Sequence, residues 1–384
     1  MRRLLWHQAS GAAGDALVAL ALAGSLFFSV PETTARGRVL LYLGLTMAPF
    51  AVVSPLLARI LDRFKGSLRW AMVFTSVGRA SLAWLLATRL DTLLLFPLAF
   101  GILVFSRAAL VVRGAVLPHA VPEGATLVDA NSSLARISAI AGMVAGIPGL
   151  LLIRWPGVHF ELLVAAAIYY SGTIPSLRLP SSKGTRSGQQ RARARAAAAS
   201  SMIRQAVIAT SGMRFLVGFL VFHLAFAFRR ESLGSIGLAL LIGSSAFGGL
   251  VGAIMAPRMR RALSEPGIIA SSLVGAGLAG LLVGRWFSLY TASVLVFVFG
   301  MASGVAKVAF DSILQSELPE GARGWAFARS ESVFQLTMVA GAIAPVLIPI
   351  PSGPGVFAAG IAAQLLAILY VGGRRRTTRS TALP

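Results

Sequence analysis

A few ionisable side chains stand where a charge is expensive. Asp15 lies about five residues into an apolar run over 10–30, a rise of about 8 Å as helix. Placing such a residue at the centre of a membrane helix costs roughly 2.5 to 3.5 kcal/mol, so each one is a functional hypothesis that needs a named partner. Lys307 and Asp311 sit four residues apart in another run, share a helix face, and neutralise one another there. Glu331 has Gln335 one turn on and matches the depth of Arg136, as a gate or as a plain interfacial residue. Arg107 and Arg214 lie in further runs, Arg79 is central in its own and reads as structural, and His223 is a lone histidine of the kind that usually finds a hydrogen bond. The chemistry open to this set is the binding of protons and charged cargo. It is not bond-making, because no phosphate loop, no His-Glu-x-x-His and no Gly-x-Ser-x-Gly elbow occurs. No catalytic residue and no cofactor is assigned. The absence of cysteine excludes disulfides and thiolate metal sites, and four scattered histidines give no metal site.

The elements that must position these residues are apolar. The chain has 384 residues, 56% hydrophobic and only 12% charged, against roughly 25% charged in soluble domains. Runs of about 20 residues, the length that crosses a bilayer core as helix, fall near 10–30, 39–61, 70–88, 92–113, 127–152 and 158–175. After a polar, basic stretch they resume near 206–228, 235–255, 266–284, 288–310, 326–349 and 353–372. The expectation is an all-helical membrane protein of 12 spans: a half over 1–175, a linker over 176–205 and a half over 206–384. The net charge of +22 would suggest nucleic acid in a soluble protein, but these bases cluster between the runs, where they set orientation. With the N-terminus inside, 23 of the 35 bases fall on inside segments and seven outside. Both termini and the linker are therefore expected in the cytosol of a plasma-membrane protein, with no nucleic-acid partner. Met1-Arg2-Arg3 opens the first span rather than a cleaved leader. Val121-Pro-Glu-Gly-Ala125 recurs as Leu318-Pro-Glu-Gly-Ala322, and at the same offset of 197 Ser133 matches Ser330 and Pro148 matches Pro345. Duplication of a six-span half explains this, as parallel repeats about an axis along the membrane normal.

On these residues the chain resembles the major facilitator superfamily over nearly its whole length. The loop Ala58-Arg-Ile-Leu-Asp62-Arg63-Phe-Lys-Gly66-Ser-Leu-Arg69 is similar to that family's signature Gly-x-x-x-Asp-Arg-x-Gly-Arg-Arg/Lys. Ala58 replaces its first glycine, one residue is inserted before Gly66, and the basic pair shrinks to Arg69. Gly142-x-x-x-Gly146-Ile-Pro148-Gly149 resembles the glycine-proline motif of the family's antiporters, with one residue inserted. Leu103-x-x-x-Arg107 resembles its arginine motif, with Val111 where glycine is expected. The runs around Pro49-Phe50, Asp62-Arg63-Phe64 and Asp129-Ala-Asn131 are similar to predicted actinobacterial exporters.

The resemblance implies roles. Asp62, Arg63, Gly66 and Arg69 would form a conformational latch, with Asp62 facing the positive N-terminal end of the eleventh helix near Ala326 and Arg63 reaching Glu123 or Asp129. The first, fourth, seventh and tenth helices would line a central cavity, exposing Asp15, Arg107, Arg214, Lys307 and Asp311. Asp15 is then the first proton-coupling candidate, with Glu331 and Asp311 next, or else a structural ion pair with Arg107 or Arg136. Arg107, Arg214 and Lys307 would meet substrate. Gly142, Gly146, Gly243, Gly248, Gly249 and Gly252 would let helices approach and slide, or reflect ordinary glycine enrichment. The expected protein is a monomeric secondary transporter, a proton-coupled exporter of a small amphipathic or drug-like substrate. A lipid or lysolipid flippase, or a non-transporting membrane partner that kept the fold, are the alternatives.

Overall fold

In a computed structural model of the chain, the residues described are 1–27, 68–121 apart from 91 and 93, 124–178, 200–230, 234–348 and 350–380. The second expected span, latch residues Asp62, Arg63 and Gly66, Glu123, and linker residues 179–199 lie outside them. Among the described residues every regular element is a helix. They are α1 (Arg2–Phe27), α2 (Leu68–Ala87), α3 (Leu95–Ala120), α4 (Leu127–Arg154), α5 (Val158–Ser171), the short α6 (Thr173–Leu177) and α7 (Ser201–Arg230). There follow α8 (Gly234–Arg260), α9 (Glu265–Arg285), α10 (Leu289–Glu317), α11 (Glu320–Leu347) and α12 (Ser352–Ser380). Nine of the spans they form are long and apolar enough to cross a membrane. Only helices and closed barrels satisfy every backbone group in lipid, so the sequence's apolar runs have to become helices.

Side chains at the turns set the boundaries. Thr126 and Asp129 form a capping box at the start of α4, Ser264 caps α9, and Ser288 with Thr291 boxes α10. The two copies of the repeated pentapeptide separate here. In the first, Gly124 takes φ +81 and helix begins only at Leu127. In the second, Glu320 already opens α11. The position equivalent to Thr126 is Arg323, which has no oxygen to cap a helix, so nothing holds α11 to the later start. Pro148 and Pro345 both lie inside their helices.

The chain divides into two compact units, 1–191 with 320–329, and 192–319 with 330–384. The core of the first is built from Leu17, Ala80, Leu86, Ile102, Ala145, Leu162 and Tyr169, from five helices. In the second, glycines set the spacing. Side chains at Gly248 and Gly252 of α8 would collide with backbone at Phe297 and Met301 of α10, as would side chains at Gly280 of α9 with Gly360 of α12. Close approach of this kind is what small residues permit between membrane helices. The glycines picked out in α4 differ: Gly142 has ordinary contact room and Gly146, like Gly243, meets open space.

Candidate functional site

Asp15 is the centre of a polar cluster in the first unit. One carboxylate oxygen, Oδ1, accepts hydrogen bonds from Ser106 Oγ of α3 at 2.6 Å and Tyr169 OH of α5 at 2.7 Å. The same oxygen lies 3.5 Å from Arg79 Nη1 of α2. Four helices thus converge on one atom. Arg79 is 3% exposed, its Nε donates to the Thr75 carbonyl one turn back, and its guanidinium lies 4.8 Å from the centre of the Tyr169 ring. The Asp15 side chain, in contrast, keeps 43% of its surface open. Two glycines on α1 make the room. A Cβ at Gly14 would sit 2.6 Å from the Tyr169 ring, and one at Gly11 3.1 Å from Arg79 Nη1.

The ion-pair partner differs from the sequence expectation, which took Arg107 or Arg136. It is Arg79, because Asp15 and Arg79 both turn toward Tyr169, whereas Arg136 bonds Ser133 Oγ on its own helix at 3.1 Å. A small-residue pair flanking the acid, Gly11 and Gly14, was the available signal for bulky partners opposite.

A second cluster lies in the other unit. Lys307 Nζ donates to Asp311 Oδ1 at 2.5 Å, one turn on in α10, and reaches Glu331 Oε2 of α11 at 3.5 Å. Gln335 Nε2 donates to Glu331 Oε1 at 3.4 Å. The ammonium also lies 5.9 and 5.8 Å from the Phe310 and Phe334 ring centres. All three charged side chains are at most 19% exposed.

The remaining sequence candidates scatter. Arg107 is half-buried in α3. Arg214 is half-buried in α7, with its Nε buried and without a hydrogen-bond partner among the described residues. Arg69 Nη1 donates to the Leu177 carbonyl at 3.4 Å and Arg3 to that of Arg178, so two bases meet the C-terminal end of α6, where a helix dipole favours positive charge. Asp129 spends its carboxylate on the Thr126 backbone and hydroxyl. His223 stacks on Phe219 and meets the Ser352 carbonyl at 3.1 Å. Sequence reading missed Glu161 of α5, a fully buried carboxyl. No group of three or more metal-ligating side chains occurs among the described residues.

Solved structures share this arrangement of helices. FucP, a major facilitator superfamily transporter solved in an outward conformation, aligns with a TM-score of 0.72 at 13% identity, covering 97% of this chain and 98% of its own. The fold is that of the major facilitator superfamily. A bacterial homologue of the iron transporter ferroportin, in an outward-facing state, has the same major facilitator arrangement of helices at a TM-score of 0.74 and 16% identity, with 97% and 99% coverage. The human organic anion transporter TETRAN aligns at 0.69 and 16%, with 96% and 99%. No protein-family model matches the chain. Among sequence relatives, an uncharacterized major-facilitator-type transporter of Mycobacterium bovis is 26% identical over 387 residues, 90% of this chain and 84% of its own length. An uncharacterized Mycobacterium leprae protein is 29% identical over 390 residues, and a Mycobacterium tuberculosis one 33% over 189. These matches cover 66% and 34% of the relatives' own lengths.

Proposed function

We propose that this major facilitator chain is a secondary transporter that works by alternating access, taking protons in exchange for small amphipathic or drug-like molecules that it exports through the plasma membrane. The observation that carries the reading is Asp15. A carboxylate inside a helix bundle has one oxygen held by Ser106, Tyr169 and Arg79 while 43% of the side chain stays open. An acid sealed on all sides exchanges a proton only by breaking its packing, whereas this one is reachable. Protonation removes the charge that Arg79 faces. Arg79 is then a buried cation with its counter-charge gone, a costly state that a change of conformation relieves. That is a route from proton binding to movement.

Export rather than import is supported by the antiporter-like run Gly142, Gly146 and Pro148, and few Asn or Gln in the first, fourth, seventh and tenth spans argues against a sugar importer. Asp62, Arg63, Gly66 and Arg69 are assigned to the latch between conformations. Both termini and the linker are placed in the cytosol by the bias of bases. The test is accumulation of a panel of fluorescent amphipaths in a pump-deficient host, with and without a protonophore. The expected result is lower retention in expressing cells, abolished by the protonophore. Unchanged retention across the panel contradicts the reading.

One observation favours a second reading, a lipid or lysolipid flippase. The Arg214 Nε is buried without a hydrogen-bond partner among the described residues, and an anionic headgroup would supply one. Protein-dependent movement of labelled lysolipid between leaflets, lost in Arg214→Gln, would select it.

A further inference from the structure

Glu161 stands on the fourth residue of α5 and has no exposed surface. Among the described residues neither of its carboxyl oxygens has a hydrogen-bond partner. Its surroundings are apolar: a Cβ built at Gly149 of α4 would meet Leu17 and Leu20 of α1 and Glu161 Oε1 together, and Leu162 and Ala165 beside it on α5 are fully buried. The charged and titratable groups on the helices packed against it are Arg2, Arg3, His7 and Asp15 of α1, Arg69 and Arg79 of α2, Asp129, Arg136 and Arg154 of α4, and His159, Tyr169 and Tyr170 of α5, with Arg89 just beyond α2. Asp15, Arg79 and Tyr169 are engaged with one another, His159 Nδ1 meets the Ala87 carbonyl, and none of these groups forms a hydrogen bond or ion pair with Glu161 among the described residues.

A buried carboxylate with neither a counter-charge nor a donor is the least tolerable group a protein interior can hold, and the ordinary escape is to take up a proton. Glu161 and Tyr169 are eight residues apart on one buried face of α5, a rise of about 12 Å. Tyr169 in turn donates to Asp15. The same seam between α1 and α5 therefore carries two carboxyl groups with opposite settings: Asp15 supplied with a cation and two donors, Glu161 supplied with none.

We propose that Glu161 is a proton-binding site, a neutral carboxyl while the seam of α1, α4 and α5 is closed. When the seam admits water, the O–H bond breaks, the electron pair stays on the carboxylate and the proton passes to water. The inference rests on the transporter reading only for the opening of the seam; the protonated state is testable without it.

The test is infrared spectroscopy of the full chain in lipid vesicles at neutral pH, in water and deuterium oxide, for wild type, Glu161→Gln and Asp15→Asn. The expected wild-type spectrum contains the carbonyl stretch of a protonated carboxyl. One carboxyl's worth of that band disappears in Glu161→Gln and remains in Asp15→Asn. A wild-type spectrum without the band overturns the proposal before any variant is made, and so does a band that survives in Glu161→Gln or vanishes in Asp15→Asn. A protein that keeps the Glu161 band yet moves no amphipath would refute the transporter reading alone.

Discussion

The two charge clusters are built on opposite plans. In the first unit one acid, Asp15, meets one base, Arg79, and the rest of its shell is neutral hydroxyl from Ser106 and Tyr169. The base is sealed and the acid is open. In the second unit one base, Lys307, is shared by two acids, Asp311 and Glu331, and all three are largely covered. The difference teaches that an ionisable residue in a membrane helix does not declare its role by being there. On the proposed reading the pair with the open acid is the coupling site, while the covered triad would act as a strut between α10 and α11 whose disturbance is felt as stability.

The largest effect on stability is therefore expected from Lys307→Ala. It strands Asp311 and Glu331 without their cation, and breaking a buried pair by removing one partner costs about 3 to 5 kcal/mol. Thermal unfolding in detergent should show it, and Lys307→Met combined with Asp311→Asn and Glu331→Gln should recover most of the loss, because no charge is then left unpaired. A Lys307→Ala protein as stable as wild type would break the contrast. A smaller effect is expected from Tyr169→Phe, which keeps the ring against Gly14 and Arg79 but removes one donor from Asp15, worth about 1.5 kcal/mol. Export should slow without losing its dependence on the gradient, since Ser106 and Arg79 still hold Oδ1. Loss of gradient dependence would make the phenol, not the carboxylate, the essential group. The smallest change is expected from Thr126→Ala, about 1 kcal/mol for a lost N-cap, read as lower stability with unchanged export. The equivalent Arg323 lies inside α11, whose N-cap is Pro319, so Arg323→Ala removes no cap.

What the sequence showed follows from how local each interaction is. Apolar runs of membrane length announce helices because lipid leaves the backbone few other solutions, and Lys307 with Asp311 is readable because four residues along a helix is a contact in itself. Glu331 joins that pair from a different helix, and nothing in its spacing says so. Asp15 was legible as costly but its partner was not, since Arg79 is 64 residues away and reaches it only through the packing of α1, α2 and α5 around Tyr169. Glu161 escaped because what covers it is remote in sequence: Leu17 and Leu20 of α1 and Gly149 of α4 turn that end of α5 into an interior.

Proton movement in vesicles tests the central claim most directly. The purified chain is reconstituted with a pH-sensitive dye trapped inside, and a transported amphipath is added to wild type and to Asp15→Asn, whose amide keeps the size of the acid but cannot titrate. The account predicts proton counterflow with wild type and none with Asp15→Asn, while binding of the amphipath to the variant remains measurable. Equal proton counterflow in the two proteins would contradict it and return Asp15 and Arg79 to a purely structural ion pair.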